Sequence, residues 1–140
     1  MQVIFLASPA CLLTIVGYTK DMINLNNIMI GTEDSTKLSD FYKKVFDKEA
    51  DMHDGDWYGW QFKGAFFSIG NHSEVKGKSK EPARIIFNFE TREIKEEFER
   101  IKATGAKVIK EPYDAGEGMM IATFEDPDGN FFQLMPPWEN

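Results

Sequence analysis

The sequence predicts an α+β fold of two β-α-β-β-β modules, whose curved mixed sheets surround a cup. Two observations lead to this prediction. The order strand, amphipathic helix and three strands occurs twice, at about residues 22–70 and 84–136, with a polar linker at about 71–83 between the copies. The chain has 140 residues, which suits one domain with a single hydrophobic core, and we place that domain at residues 22–138.

The first strand is predicted by an alternating pattern. Between Leu25 and Gly31, Ile28 and Ile30 fall on one face, and Asn27 and Met29 fall on the other. This period of two is typical of a strand that is buried on one side only. Asn27 is therefore expected to point away from the two isoleucines.

A helix follows the first strand, and three short strands follow the helix. Asp34 and Ser35 offer side-chain oxygens for the helix N-cap. The next apolar residues are spaced as one stripe of a helix that ends near Phe46: Leu38, Phe41, Tyr42 and Val45. The aromatic stretch from Ala50 to Gly70 then predicts three antiparallel strands, with a tight turn near residues 63–64.

The second module repeats the same order. Its first strand is predicted to start at Arg84, because two sets of residues alternate there: Ile85, Phe87 and Phe89 against Arg84, Ile86 and Asn88. The next helix ends before Gly105, which is expected to be left-handed, and it buries one stripe: Ile94, Phe98 and Ile101. A turn at residues 126–130 joins the last two of three further strands: 107–110, 119–125 and 131–135.

Charge and cysteine content exclude several classes of partner. The formal net charge is −7 and the sequence pI is about 4.8, so electrostatic attraction to nucleic acid or to an anionic membrane is not expected. The chain has one cysteine, Cys11, so no internal disulfide can form. Nothing in the cysteine content indicates an oxidising compartment, so we expect the protein in the cytoplasm by default.

Residues 1–21 are treated separately from the domain. Val3–Val16 is an apolar run that Pro9 interrupts and that is too short to cross a bilayer. Three interpretations stay open. The segment is a disordered or surplus extension before a domain that begins at Met22, or a signal or lipid-anchor segment that uses Cys11, or an additional edge strand.

A cup is expected from the way in which helices cover sheets. Each helix covers one face of its module's sheet, so the other face stays open unless the sheets curve towards each other or towards a partner. Asn27, Arg84 and Gln133 are out of phase with the buried positions and are candidates for one shared polar floor. In the alternative, Arg84 pairs with an acidic residue at the strand end, and the two amides satisfy backbone groups.

Three segments resemble the vicinal-oxygen-chelate superfamily of glyoxalases, bleomycin-resistance proteins and dioxygenases. The closing phrase Glu125–Leu134, which reads EDPDGNFFQL, is similar to the last turn and strand of that family. Asn27–Ile30 with Asp34 and the Phe41-Tyr42 pair resembles the first strand and helix, and Arg84–Phe87 resembles the fifth strand. The resemblance implies paired modules and a homodimer with sites in the sheet cups.

The resemblance also implies where a metal would be held. Metal-using members place His, Gln or Glu on the first strand, His on the fifth and Glu on the last, and lyases and isomerases often add Glu on the fourth. Here those positions hold, in the same order, Asn27, Arg84, Gln133 and Ser68. A guanidinium has no lone pair to offer, and amide oxygens are weak neutral ligands. We therefore predict no metal and no other cofactor, and we assign no catalytic residue.

The function that follows is metal-independent binding of a small organic molecule, which can be anionic. Arg84 is expected to anchor an anionic group of the ligand. Aromatic residues form the walls, with about half of them inward: Trp57, Tyr58, Trp60, Phe62, Phe66 and Phe67. The residues that we select as ligand contacts are Asn27, Trp60, Ser68, Arg84, Met119 and Gln133. Two alternatives stay open, namely a lyase, isomerase or dioxygenase-type enzyme, and a structural or regulatory dimer without a ligand.

Overall fold

The computed structural model describes residues 23–138, and both modules are present in the predicted order of elements. The first module consists of β1 (Asn27–Thr32), α1 (Ser35–Phe46), β2 (Met52–Asp54), β3 (Trp57–Gln61) and β4 (Phe66–Asn71). The second consists of β5 (Ile86–Glu90), α2 (Ile94–Ala103), β6 (Lys107–Asp114), β7 (Met120–Glu125) and β8 (Phe131–Met135). The prediction of an α+β fold with two β-α-β-β-β modules is confirmed.

The interpretations of residues 1–21, including those that involve Cys11, lie outside the described residues. Between residues 23 and 138, no helix is long and apolar enough to cross a membrane.

The first helix begins where two side chains satisfy its free backbone N–H groups. Asp34 accepts a hydrogen bond from the N–H of Lys37 at 3.0 Å, and Asn71 at the end of β4 accepts one from the N–H of Ser35 at 2.8 Å. Asp34 is therefore the N-cap residue, as the sequence indicates. The helix ends at Phe46, and its C-cap residue Asp47 is left-handed with a φ of 49°. The bond to Asn71 fixes the start of α1 to the sheet.

Both sheets have the same mixed topology. The strand order is β1-β4-β3-β2 in the first sheet and β5-β8-β7-β6 in the second. In each sheet the first pair, β1 with β4 or β5 with β8, is parallel and the other pairs are antiparallel. The internal repeat is therefore present in the strand connections, and the described part of the chain forms two separate sheets that are not closed.

The strand β6 is longer than the sequence predicts. It continues beyond Lys110 as far as Asp114 and lies at the edge of the second sheet. Its pairing with β7 shifts register between Val108 and Lys110 and again before Tyr113. These irregularities let the strand bend and accommodate Pro112, which cannot donate a backbone hydrogen bond.

The hydrophobic core lies between the two helices and one face of each sheet. Tyr42 of α1 contacts both modules, because its ring centroid lies 5.1 Å from that of Phe67 in the first sheet and 5.8 Å from that of Phe132 in the second. Aromatic side chains bury large areas, so this ring contributes strongly to a common core. The core consists of Ile30, Leu38, Tyr42, Val45, Trp60, Phe67, Ile69, Ile94, Phe98, Ile101, Ala106, Ala122, Phe124, Phe132 and Leu134.

The turn at residues 126–130 holds the second module against the first. The hydroxyl of Thr32, which is fully buried at the end of β1, donates a hydrogen bond to the Asp128 carboxylate. The backbone N–H of Ser79 in the linker donates to the Asp128 carbonyl oxygen at 2.8 Å. The Thr32 hydroxyl would lose its partner if the modules separated, so this bond helps to fix the position of one module on the other.

Candidate functional site

Each sheet has one face that a helix covers and one face that neither α1 nor α2 covers, which we call its open face. Side chains alternate between the two faces along every strand. Core residues therefore identify the covered face, and the residues between them belong to the open face. The covered faces are marked by Ile30, Trp60 and Phe67 in the first sheet and by Phe87, Phe124 and Phe132 in the second.

Two aromatic rings lie against the backbone on the open face of the first sheet. A Cβ atom at Gly59 would be 2.1 Å from Cζ of Phe66, and a Cβ atom at Gly70 would be 2.3 Å from Cε3 of Trp57 and 3.4 Å from the methyl group of Met29. Each ring thus occupies space that only glycine leaves available. Trp57 and Phe66 are half-buried, and Met29 is 42% exposed. We call Met29, Trp57 and Phe66 the aromatic platform.

Asn27 and Ser68 lie on the open face of the first sheet but differ in accessibility. Asn27 is exposed at the start of β1, opposite Phe66. Ser68 lies opposite Met29 and is 1% exposed, with its hydroxyl oxygen 3.5 Å from the carbonyl oxygen of Ile28. A ligand on this face can therefore reach Asn27 at the margin of the platform, whereas Ser68 is covered by its neighbours.

The prediction that Arg84 lies at the floor of a cup is wrong. Pro82–Arg84 forms a 3-10 turn, in which the N–H of Arg84 donates to the carbonyl oxygen of Glu81 at 3.0 Å, so β5 starts only at Ile86. The Arg84 side chain is 71% exposed and pairs with the Glu81 carboxylate, which accepts from Nε at 2.6 Å. Arg84 thus follows the alternative interpretation, a pair with an acidic residue at the strand end.

The choice of Trp60 as a ligand contact is also corrected. Trp60 is 1% exposed, and its ring centroid lies 5.4 Å from that of Phe46 and 6.3 Å from that of Phe67 in the core. Its indole N–H donates to the carbonyl oxygen of Lys48 at 3.0 Å. Alternation along β3 places Trp57 on the open face instead. Fewer than half of the six aromatic residues lie on the open face, since the covered face also holds Tyr58, Phe62 and Phe67.

Gln133 lies on the open face of the second sheet, on the inner strand β8. Its side-chain Nε2 donates to the hydroxyl of Thr123 on β7 at 2.9 Å. On its other side, its Cα is paired with that of Asn88 on β5. Among residues 23–138, no hydrogen bond joins Gln133 to Asn27 or Arg84. The structure therefore places the expected floor residues on different sheets or in the solvent-exposed turn, without direct contact between them.

Met119 lies next to a separate depression at the end of the second sheet. The depression has a volume of about 390 Å³, and its walls include Arg92, Pro136 and Trp138. Met119 is half-buried there, whereas the next residue, Met120, packs against the core. Met119 can therefore contact a molecule in this depression, but it does not belong to the aromatic platform.

A family model decides to which family this arrangement belongs. The model of the Glyoxalase/Bleomycin resistance protein/Dioxygenase superfamily matches residues 24–134. The chain belongs to this superfamily. The family that the sequence resembles is thereby confirmed. No curated protein is a significant match to this superfamily member.

Solved structures of other proteins share the fold of this superfamily member. A family enzyme from Burkholderia phytofirmans PsJN has a TM-score of 0.67 and 22% identity, over 81% of this chain and 98% of that chain. The fosfomycin resistance protein FosX from Listeria monocytogenes has a TM-score of 0.64 and 22% identity, over 84% and 95% of the two chains. TioX from Micromonospora sp. ML1 has a TM-score of 0.63 and 15% identity, over 81% and 98%. At such identities the similarity shows the fold alone, because function depends on the side chains of the site.

The residues that the sequence resemblance assigns to the superfamily's metal positions do not offer ligands that suit a divalent metal ion. Arg84 is turned towards Glu81, Ser68 is covered, and the amide of Gln133 is bound to Thr123. Such ions prefer carboxylate, imidazole or thiolate ligands. Within the described range 23–138, no three His, Cys, Asp or Glu side chains are grouped so that they could hold a metal.

Sequence reasoning did not select Met29 as a ligand contact, and it did not predict that the rings of Trp57 and Phe66 each lie against a glycine. Alternation had already placed Met29 on the same face as Asn27, so its exposure was foreseeable. Gly59 and Gly70 are a second signal, since a glycine inside a strand often marks the close approach of another group. Neither signal states which ring approaches, because that depends on the strand register.

Proposed function

We propose that this superfamily member binds a small, flat organic molecule on the aromatic platform, without a metal ion. The contact of the Trp57 and Phe66 rings with glycine backbone, with both rings still half-exposed, supports the proposal most directly. A planar aromatic molecule can stack on such rings, and each stacked pair contributes about 1 kcal/mol beyond the burial of area. Rings that the backbone already supports lose little freedom on binding, which favours affinity.

The charges around the platform favour a neutral ligand over an anion. Asp54 is exposed on the same open face, where its Cα is paired with that of Trp57. Arg84, the cation expected to attract an anionic ligand, is already paired with Glu81. The net charge of −7 acts in the same direction. We therefore propose that the ligand is not an anion.

Binding of planar aromatic molecules to the parent protein and to Trp57→Ala tests the proposal. Isothermal titration calorimetry is expected to show at least about a tenfold loss of affinity in Trp57→Ala, which corresponds to about 1.4 kcal/mol. Trp138→Ala is the matched control, because this indole is 77% exposed and lies outside the platform. Dialysis of the parent protein against a chelator is expected to leave the affinity unchanged.

Other outcomes favour other functions. Equal binding by Trp57→Ala and the parent protein would refute the platform. If Trp57→Ala instead converts a dimer into monomers and no molecule in the set binds, the platform is a subunit contact; the homodimer stays a prediction until then. Turnover of glutathione hemithioacetals or catechols with added metal would favour an enzyme.

A further inference from the structure

We propose that Met29 is an oxidation site through which hydrogen peroxide weakens ligand binding on the aromatic platform, and that reduction of the resulting sulfoxide restores binding. This inference rests on the proposed function, because the platform is the surface that the oxidation would alter. Two observations carry it. The thioether of Met29 is accessible to solvent, and its methyl group lies near the Trp57 ring.

Met29 is the most exposed methionine between residues 23 and 138. It is 42% exposed and lies on β1, an edge strand of the first sheet. The other methionines in this range are all half-buried: Met52, Met119, Met120 and Met135. An oxidant has to reach the lone pair of the sulfur, so exposure decides which methionine reacts first. Met29 is therefore expected to be oxidised before the other four.

The Met29 side chain lies over the same part of the sheet as the Trp57 ring. A Cβ atom at Gly70 would be 3.4 Å from the methyl group of Met29 and 2.3 Å from Cε3 of Trp57. The two side chains therefore lie close to one point of the backbone, near enough for a contact between a thioether and an aromatic ring. A planar molecule stacked on Trp57 is expected to contact the thioether as well.

Oxidation would make this apolar part of the platform polar. The lone pair of the sulfur attacks one oxygen of hydrogen peroxide and the O–O bond breaks. The transferred oxygen gives its proton to the other oxygen, which leaves as water. Sulfur is oxidised by two electrons and the peroxide is reduced by two, so no further reactant is needed. The sulfoxide oxygen accepts hydrogen bonds from water, and a flat apolar ligand has to remove that water without replacing the bonds.

The charges near Met29 favour an uncharged oxidant. Asp54 is exposed on the same open face, where its Cα is paired with that of Trp57. The net charge of the chain is −7. Such a surface repels an anionic oxidant such as peroxynitrite, whereas hydrogen peroxide is uncharged at neutral pH. Hydrogen peroxide is therefore the oxidant that we assign to this site.

Treatment with hydrogen peroxide, followed by peptide mapping and binding measurements, tests the proposal. Mass spectrometry of the peptides is expected to find an added oxygen at Met29 before it appears at the other described methionines. Calorimetry with planar aromatic molecules is then expected to show at least about a fivefold loss of affinity, which methionine sulfoxide reductase reverses. Dithiothreitol added after the treatment reduces reversible products of the Cys11 thiol, so they do not contribute.

Variants show whether Met29 itself is responsible. The affinity of each protein is compared before and after treatment, since a substitution in the platform changes the affinity by itself. Met29→Leu keeps an apolar side chain of similar volume that peroxide does not oxidise, so treatment is expected to leave its affinity unchanged. Met119→Leu is the matched control outside the platform and is expected to lose affinity as the parent protein does. Met29→Gln, which places a polar group there, is expected to reproduce the loss without treatment.

A bound ligand is expected to protect Met29 in turn. A planar molecule at about ten times its dissociation constant leaves roughly a tenth of the sites free, so it should slow the oxidation of Met29 severalfold and that of Met119 not at all. Unchanged affinity of the parent protein after full oxidation of Met29, or earlier oxidation of another described methionine, would overturn the proposal and leave the platform intact. Failure of the untreated protein to bind any planar molecule would instead overturn the platform, and this proposal with it.

Discussion

The hydroxyl of Tyr42 donates a 2.7 Å hydrogen bond to Oδ2 of Asp126 and thereby joins the first helix to the last turn. Tyr42 is completely buried, and Asp126 is 3% exposed. The carboxylate also accepts from the side chain and the N–H of Asn130 and from the N–H of Asp128. The contact between the modules therefore includes a buried polar network whose partners come from both halves of the chain.

Removal of this hydroxyl is expected to destabilise the protein. In Tyr42→Phe the ring remains and Asp126 loses one donor, so we expect the free energy of unfolding to fall by about 1.5–3 kcal/mol, as for other bonds to charged groups. Urea unfolding followed by circular dichroism measures the change. Tyr58→Phe is the matched control, because its hydroxyl is 3.4 Å from that of Thr36 at the surface. An equal effect of the two substitutions would contradict the role of the network.

The same carboxyl group predicts a pH dependence of stability. Burial raises the pKa of Asp126, and hydrogen bonds from Asn130, Tyr42 and Asp128 only partly offset this. A pKa raised in the folded state gives stability that is fully present below the pKa of the unfolded chain and is lost as pH rises through the folded-state pKa. Relative to Asp126→Asn, which does not titrate, the parent protein should gain stability between pH 7 and about pH 4.

Urea unfolding of both proteins at several pH values measures this difference. Other carboxyl groups are common to both proteins, so their contributions cancel in the comparison. A stability difference that stays constant, or that falls on acidification, would show that burial does not dominate at Asp126.

The platform is expected to depend on the absence of a side chain at Gly70. In Gly70→Ala the new Cβ atom would be 2.3 Å from the Trp57 ring, which must move. We expect a loss of about 1–3 kcal/mol in the free energy of unfolding, as for other overpacked sites, and weaker binding of planar ligands. Gly64→Ala is the matched control, since nothing lies within 4 Å of a Cβ at that position. Equal stability and binding of the two variants would refute the ring contact.

Substitution of Arg84 is expected to have little effect. Its pair with Glu81 is exposed on both sides, at 71% and 64% of the side chains, and exposed ion pairs contribute less than about 1 kcal/mol. Arg84→Ala should therefore unfold within about 1 kcal/mol of the parent protein and bind anionic molecules equally well. A selective loss of anion binding in calorimetry would restore Arg84 as an anchor.

Metal retention tests the proposed independence from metal ions. Protein loaded with zinc, nickel, manganese or iron and then dialysed is expected to keep far less than one ion per chain, because the four family positions offer amides, a hydroxyl and a guanidinium. Elemental analysis by mass spectrometry, together with the protein concentration, measures the number of metal ions per chain. Retention of one ion per chain that Asn27→Ala and Gln133→Ala abolish would contradict the proposal.

The elements of the fold were predictable because their signals are local. The cap at Asp34 and the left-handed Gly105 depend on a few neighbouring residues, and the structure has both, with a φ of 92° at Gly105. Alternation along β1 likewise predicted that Met29 and Asn27 lie on the face of the strand that is opposite to Ile30. Period and capping chemistry therefore suffice where a strand or helix stands by itself.

The site was less predictable because it depends on where each strand begins and how strands pair. The alternating pattern extends back to Arg84, but Pro82–Arg84 forms a turn, so the strand begins only at Ile86. Trp57 and Trp60 lie on opposite faces of β3, and only the contact of Trp60 with Phe46 of the helix shows which of the two is in the core. The bond from Thr32 to Asp128 spans most of the chain, and no local pattern indicates it.

The side-chain bonds between the last turn and the first module have a direction that the repeat itself lacks. Hydroxyl donors, those of Tyr42 and Thr32, reside in the leading half, and carboxylate acceptors, those of Asp126 and Asp128, reside in the trailing half. Two leading halves would lack these carboxylates, and two trailing halves would bring like charges together. The bonds at the last turn therefore favour the pairing of unlike modules within one chain.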